Sequence, residues 1–397
     1  MTSSTCNIAL LGQKFMGRAH SNAYLKAARF FNVPLEPVMH TIVGLDLIAL
    51  APFANRWNWK KYSTSWKEIV KDPAINLVDI CTPNYMHAEQ ALTAIQIGKH
   101  VACEKPMATT LKDARAMRNA AIRSRKSKTF VWYNYRRCPA AALAYQFVQD
   151  GRLGDILHIR ATFLQDWAGP ETPLSWRFQK KYAGSGAHGD LNSHLVDLTR
   201  FITGHDFVEV SGAVAETFVV DREIVQPPTK TGGRTSRRHE KKNSGKSDVD
   251  DCLLFVAKTN KNAIACFEGS RAAVGHKIDL SLEISGVNGA LRFSLDDMNV
   301  LWFFDQTEEK RFRGWRRIVC NQPGEHPYAA AWWPEGHGIG YEHTYVNMVA
   351  EMMAVLAGEQ PIIPLPDFAD AYETQRVLEA ASMAARHRSA VKMTEIK

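Results

Sequence analysis

The sequence predicts an α/β protein: an N-terminal doubly wound parallel sheet of Rossmann type, then an α+β part with a large, open, mainly antiparallel sheet. Three observations carry this. Across the first 135 residues, short continuous apolar runs alternate with helical segments, as βαβ units do when their strands are buried on both faces. The first run ends in a glycine turn, Gly12 to Gly17, that opens onto a helix. After about Pro139 the strand-like stretches lengthen, begin to alternate, and have few helices between them.

Taken in order, residues 7–11 read as the first strand and 16–28 as its helix. Residues 37–44 form a second strand, followed by helices near 48–57 and 66–71. Strands at 77–81 and 100–103 lead into helices at 87–97 and 111–125, and 130–134 is the last strand of this unit. The Rossmann domain is therefore placed at residues 1–137 and the second domain at 138–397. In the latter a helix at 140–150 stops at Gly151. Strands follow at 156–165, 208–220, 252–258, 263–270, 279–286, 289–295 and 301–305, with helices at 192–203, 342–357 and 366–387.

A chain of 397 residues, 45% hydrophobic, suits two to three domains with substantial cores. No apolar stretch approaches the roughly 18 residues needed to span a bilayer, and the first residues lack a secretory pattern. The seven cysteines are scattered and contain no Cys-x-x-Cys, which argues against a disulfide framework or a structural zinc site. Cytoplasmic, metal-independent chemistry is the expectation. The net charge of +8 is local: between Gln226 and Ser247 seven basic residues face one acidic, supplying +6 of it. That stretch, about 226–248, reads as a flexible surface loop, so neither a nucleic acid nor a membrane is expected as partner.

The turn Gly12-Gln13-Lys14-Phe15-Met16-Gly17 suits a pyrophosphate at a helix N-terminus, although Lys14 stands where the middle glycine is usual. Asp46, at the end of the second strand, is either a ribose ligand favouring NAD or a turn and N-cap residue; NADP stays open. Thr82-Pro83-Asn84 with His87, and Glu104-Lys105-Pro106, lie at carboxyl ends of buried strands, where open α/β sheets bind ligands.

Together these residues resemble the Gfo/Idh/MocA oxidoreductase family. The matching pieces are Met16-Gly17 with His20, Asp79-Ile80-Cys81-Thr82-Pro83-Asn84, Gly98-Lys99-His100-Val101, Glu104-Lys105-Pro106, Asn134-Tyr135-Arg136, and Gly189-Asp190 with His194 and Asp197. Tyr328, Trp332-Trp333-Pro334 and Gly340-Tyr341-Glu342-His343-Thr344 are similar to a subgroup of glycoside 3-dehydrogenases that includes levoglucosan dehydrogenase. The resemblance implies hydride transfer between NAD and a ring hydroxyl carbon, C3, of a sugar or glycoside, and assembly as a dimer or tetramer. It also implies a cofactor site of Gly12, Lys14, Phe15, Met16, Asp46, Thr82, Pro83, Asn84, His87, Glu104, Lys105 and Asn134.

Alcohol oxidation needs a proton acceptor and a donor facing the developing oxyanion. His194 is the candidate base, Lys105 the donor and Asp190 their carboxylate partner. Tyr135, Arg136, Trp176, Arg177, Trp333 and His343 are candidate sugar contacts beside these three. Other readings are redox-assisted cleavage starting from a 3-keto sugar, an inositol or polyol dehydrogenase, and a non-catalytic dinucleotide-binding regulator.

Overall fold

The computed structural model describes residues 4–225 and 243–397. The chain opens with β1 (Ser4–Leu11), α1 (Phe15–Phe30), β2 (Leu35–Val43), α2 (Leu47–Trp57), β3 (Lys61–Ser63) and α3 (Trp66–Lys71). It continues with β4 (Leu77–Ile80), α4 (His87–Gln96), β5 (His100–Cys103), α5 (Leu111–Arg123) and β6 (Thr129–Val131). These strands pair in parallel in the order β3-β2-β1-β4-β5-β6. The order reverses between β1 and β4, which opens a ligand crevice at their carboxyl ends. Ile8, Ala9 and Leu10 are all fully buried, which is why this strand shows as an unbroken apolar run.

The strand β3 was not expected. It is a largely exposed edge piece, Lys61-Tyr62-Ser63, with no apolar signal, held by pairing to β2. The last strand stops at Val131, short of the expected 134, because Asn134–Arg137 winds into a 3₁₀ turn.

The second part runs α6 (Pro139–Gln149), β7 (Ile156–Leu164), α7 (Lys180–Ala183), a π-helical turn at His188–Asn192, α8 (Ser193–Thr203), β8 (Phe207–Glu216) and β9 (Asp221–Glu223). Then come β10 (Ser244–Lys246), β11 (Cys252–Thr259), β12 (Ile264–Ser270), β13 (Asp279–Gly286), β14 (Gly289–Ser294), β15 (Val300–Asp305) and β16 (Trp315–Val319). The chain closes with α9 (Tyr341–Leu356), α10 (Phe368–His387) and β17 (Val391–Lys392). Nine strands make one sheet, β16-β15-β14-β13-β7-β12-β11-β8-β17, in which β7 and β12 are the parallel pair and the other neighbours are antiparallel.

Burial alternates along β11: Leu253, Phe255 and Ala257 point inward, while Leu254 and Val256 point outward. Helices α6, α8 and α10 pack against this sheet, and Leu157, Val214 and Ile264 join the exposed apolar residues of its strands.

Of the expected basic loop, residues 226–242 lie outside the described residues. Its last part is not a loop: Ser244–Lys246 pairs antiparallel with Asp221–Glu223. The late helices also return to the first sheet. Val346 and Met352 of α9 share a core with Ile8, Leu10 and Trp132, and Phe368 of α10 joins Ile80 and Val101. Among the described residues no helix is long and apolar enough to cross a membrane.

Candidate active site

The cofactor crevice begins at the glycine turn. Gly12 has φ +119°, and a Cβ there would stand 2.7 Å from the Cys81 carbonyl oxygen; one on Gly17 would stand 2.3 Å from that of Gly12. Only glycine fits such a turn. Lys14 is the N-cap of α1 and makes no side-chain cap bond, and the first turn holds no acidic residue. Open N–H groups, a positive helix end and the exposed Lys14 ammonium fit a dinucleotide pyrophosphate. Phe15 is exposed beside this turn and Met16 is half-buried. Asp46 caps α2: its Oδ1 accepts the N–H groups of Ile48 (3.0 Å) and Ala49 (3.2 Å).

At the ends of β4 and β5 most of the predicted residues are bound within the protein. Thr82 donates its hydroxyl to Gln90 (2.7 Å), and Asn84 donates to the Ala183 carbonyl (3.1 Å). The His87 ring lies between the carbonyl oxygens of Thr82 (2.9 Å) and Pro106 (3.1 Å) and donates its one N–H to one of them. Burial lowers its pKa. Asn134 is buried and donates to the Thr344 hydroxyl (2.8 Å). His87 and Asn134 thus have their side chains committed inside the protein, where they shape the crevice.

Lys105 carries the junction. Its Nζ donates to Asp190 Oδ1 (2.7 Å) and to the Asp190 carbonyl (3.0 Å), which ties the end of β5 to the second part of the chain. Asp190 sits on the π-helical turn, an irregularity common at functional sites, and His194 follows on α8. Asp250 pins that turn by accepting from the Gly186 N–H (2.8 Å) and the His188 N–H (2.6 Å). Burial would raise the Asp190 pKa, but the Lys105 ammonium prevails and holds it down at about 2. His194 is 4% exposed. Its ring lies 4.5 Å from that of Tyr135, and Tyr133 and Phe163 close around it. Among the described residues no hydrogen bond engages its nitrogens. Burial, then the Lys105 charge, push its pKa well below the usual 6.5.

The candidate sugar contacts divide. Tyr135 lies on His194, and Arg177, stacked on Trp176 at 4.4 Å, is close enough for its charge to act on Asp190. Arg136, in contrast, is buried in ion pairs with Asp197 and Asp370. His343 accepts from the Gly340 N–H (3.0 Å) with its ring 4.3 Å from Trp332, and Trp333 packs on Phe30 of α1. A cleft of about 800 Å³ bordered by Lys112, Lys180, Asp248, Glu379 and Arg386 lies elsewhere, and Lys105, Asp190 and His194 are not among its walls.

The chain matches known proteins over nearly its whole length. Residues 6–134 match the oxidoreductase family with NAD-binding Rossmann fold, and residues 142–292 match the GFO/IDH/MocA C-terminal domain. Levoglucosan dehydrogenase of Pseudarthrobacter phenanthrenivorans is 36% identical over 98% of this chain and 98% of its own. The chain belongs to the Gfo/Idh/MocA family. Among solved structures, an oxidoreductase domain protein from Kribbella flavida superposes with a TM-score of 0.90 at 41% identity, over 98% of this chain and 99% of that one. Levoglucosan dehydrogenase in complex with NADH and L-sorbose gives 0.89 at 34%, with the same coverage. This Gfo/Idh/MocA chain is an oxidoreductase, and its first sheet is an NAD-binding Rossmann fold.

Three features escaped the sequence reading. Tyr341, at the start of α9, stacks parallel to Phe15 at 6.5 Å and lies 6.4 Å from Tyr135, so it reaches the crevice where His343 was expected. Both sit in one aromatic run, and only the direction in which α9 starts separates them. Asp250, which pins the π-helical turn, was assigned no role from the sequence. Asp79 and His20 were matched as motif pieces, but their buried pairing has no sequence signal, because they lie far apart in the chain.

Proposed function

We propose that this protein is an NAD-dependent dehydrogenase of a sugar or glycoside that oxidises a ring hydroxyl at C3. The observation that carries the reading is the meeting of the Lys105 ammonium, the Asp190 carboxylate and a neutral His194 at the mouth of an NAD-binding crevice.

His194 accepts the hydroxyl proton. Its depressed pKa keeps the ring unprotonated at neutral pH, and among the described residues no donor occupies its lone pair. Lys105 has three N–H donors and spends two on Asp190, which leaves one for the substrate oxygen as it gains negative charge. Asp190 offsets the repulsion between Lys105 and a protonated His194. Bound NAD would supply the hydride acceptor for the carbinol carbon, and His194 is the group that takes the hydroxyl proton. Gly12, Lys14, Phe15 and Met16 hold the pyrophosphate end, and the second oxygen of Asp46 is left for a ribose hydroxyl. Thr82, Pro83, Asn84 and Glu104 border the nicotinamide end. Tyr135, Tyr341, Trp176 and Arg177 form the sugar walls, with aromatic faces against C–H groups. The exposed apolar face of the nine-stranded sheet supports assembly into a dimer or tetramer, which light scattering would weigh.

The test is reduction of NAD and NADP with a panel of glucosides, 1,6-anhydrosugars and inositols, with the product identified. The expected outcome is a 3-keto sugar with NAD preferred, and a loss of at least about a hundredfold in turnover for Lys105→Ala with NADH binding retained. Near-normal turnover in Lys105→Ala would overturn the reading. Release of free aglycone would point to cleavage following oxidation.

A further inference from the structure

We propose that His20 is a positioning residue of the hydride-transfer site: an imidazolium that bridges Asp79 to Glu104 and so holds the Glu104–Lys105 corner in place. The inference rests on the dehydrogenase reading above and gives a role to a buried ionic group that the mechanism does not use.

The bridge spans three elements. His20 lies on α1, one turn beyond Gly17, and is fully buried. Its Nδ1 is 2.8 Å from Asp79 Oδ2 on β4, and its Nε2 is 2.9 Å from Glu104 Oε1 just past β5. Ionised carboxylates only accept hydrogen bonds, so a ring with one at each nitrogen carries both protons. Burial opposes that charge, but the two carboxylates outweigh it and raise the pKa to about 9. Asp79 is fully supplied with donors: Tyr24 OH at 2.9 Å and Trp132 Nε1 at 2.8 Å join His20. The Trp132 and Tyr345 rings close over the imidazole at 4.1 and 5.6 Å.

The other end of the bridge leads to the reaction centre. Glu104 Oε2 accepts the Lys105 backbone N–H (3.1 Å), and Lys105 Nζ in turn holds Asp190. His20, Asp79, Tyr24 and Trp132 are at most 2% exposed, so none of them touches sugar or cofactor from solvent. Three buried charges are a poor device for stability, since apolar side chains of similar size would serve at lower desolvation cost. What the ions add is direction: a carboxylate fixed at both oxygens cannot rotate, and the Lys105 backbone is fixed with it.

The experiment compares wild type, His20→Gln and Asp79→Asn by steady-state kinetics, NADH fluorescence binding and thermal melting. Glutamine can donate from only one end, so one carboxylate loses its donor. The expected result is a fall in kcat of at least about tenfold in His20→Gln and a smaller one in Asp79→Asn. KM for NAD and for the sugar should stay within about threefold, and NADH binding should be kept. Asp79→Asn is nearly isosteric and serves if His20→Gln does not fold. Wild-type kcat in the folded variants, even with a lowered melting temperature, overturns the inference, and so does a rise in KM at unchanged kcat. Wild-type protein that turns over no sugar defeats the dehydrogenase reading instead and takes this inference with it.

Discussion

His20 and His194 are both buried, both lead to Lys105, and are driven in opposite directions. His20 has a carboxylate at each nitrogen and stays charged up to about pH 9. His194 has aromatic rings around it and the Lys105 ammonium nearby, and it is neutral well below pH 6.5. Depth alone would have discharged both. The partners at each ring decide which histidine can take a proton from a substrate and which is kept as a fixed cation.

The largest test of this contrast is His194→Gln. Loss of the base should cost about 10²- to 10⁴-fold in kcat with little change in melting temperature. In the wild type the acid limb of kcat/KM should lie below pH 6.5, because His194 is unprotonated above its depressed pKa. An acid limb above 6.5 would break the contrast. Stability should move the other way with pH. A raised pKa means that the His20 contribution is fully present below about 6.5 and is lost as pH rises through about 9. Denaturant titrations from pH 6 to 10 should show this decline, and Asp79→Asn should flatten it.

Smaller effects sharpen both sides of the crevice. Asp250→Ala leaves the Gly186 and His188 N–H groups without their acceptor and should cost about 1–3 kcal/mol in unfolding free energy. Asp46→Ala should cost about 0.5–2 kcal/mol through the lost α2 cap. The same change should weaken NAD binding and narrow any preference over NADP.

The contrast also bears on what could be read from the chain. That Lys105, Asp190 and His194 come together was legible because a charged residue just past a buried apolar run has few packing explanations, and because a four-residue spacing at a helix start sets a carboxylate beside an imidazole. The π-helical turn was not legible, since it depends on Asp250, 62 residues beyond His188 in the chain and just before β11. Arg136 read as a sugar contact beside Tyr135, yet Asp197 and Asp370 claim it, the latter 234 residues away. β3, β16 and β17 were missed because short edge strands are set by pairing partners and carry little apolar pattern.

By itself the sequence determined the order of βα units, the glycine turn and the strand ends that border the crevice. Each of these rests on local preference or on burial shared by consecutive residues. Tertiary structure alone decided that α9 would close over the first sheet and turn Tyr341 rather than His343 toward the crevice. It alone set His20 between two hydrogen-bonded carboxylates, while Asp190 acts on His194 only through its charge. The charge of a buried imidazole depends on which distant side chains reach it, and chain order does not record that distance.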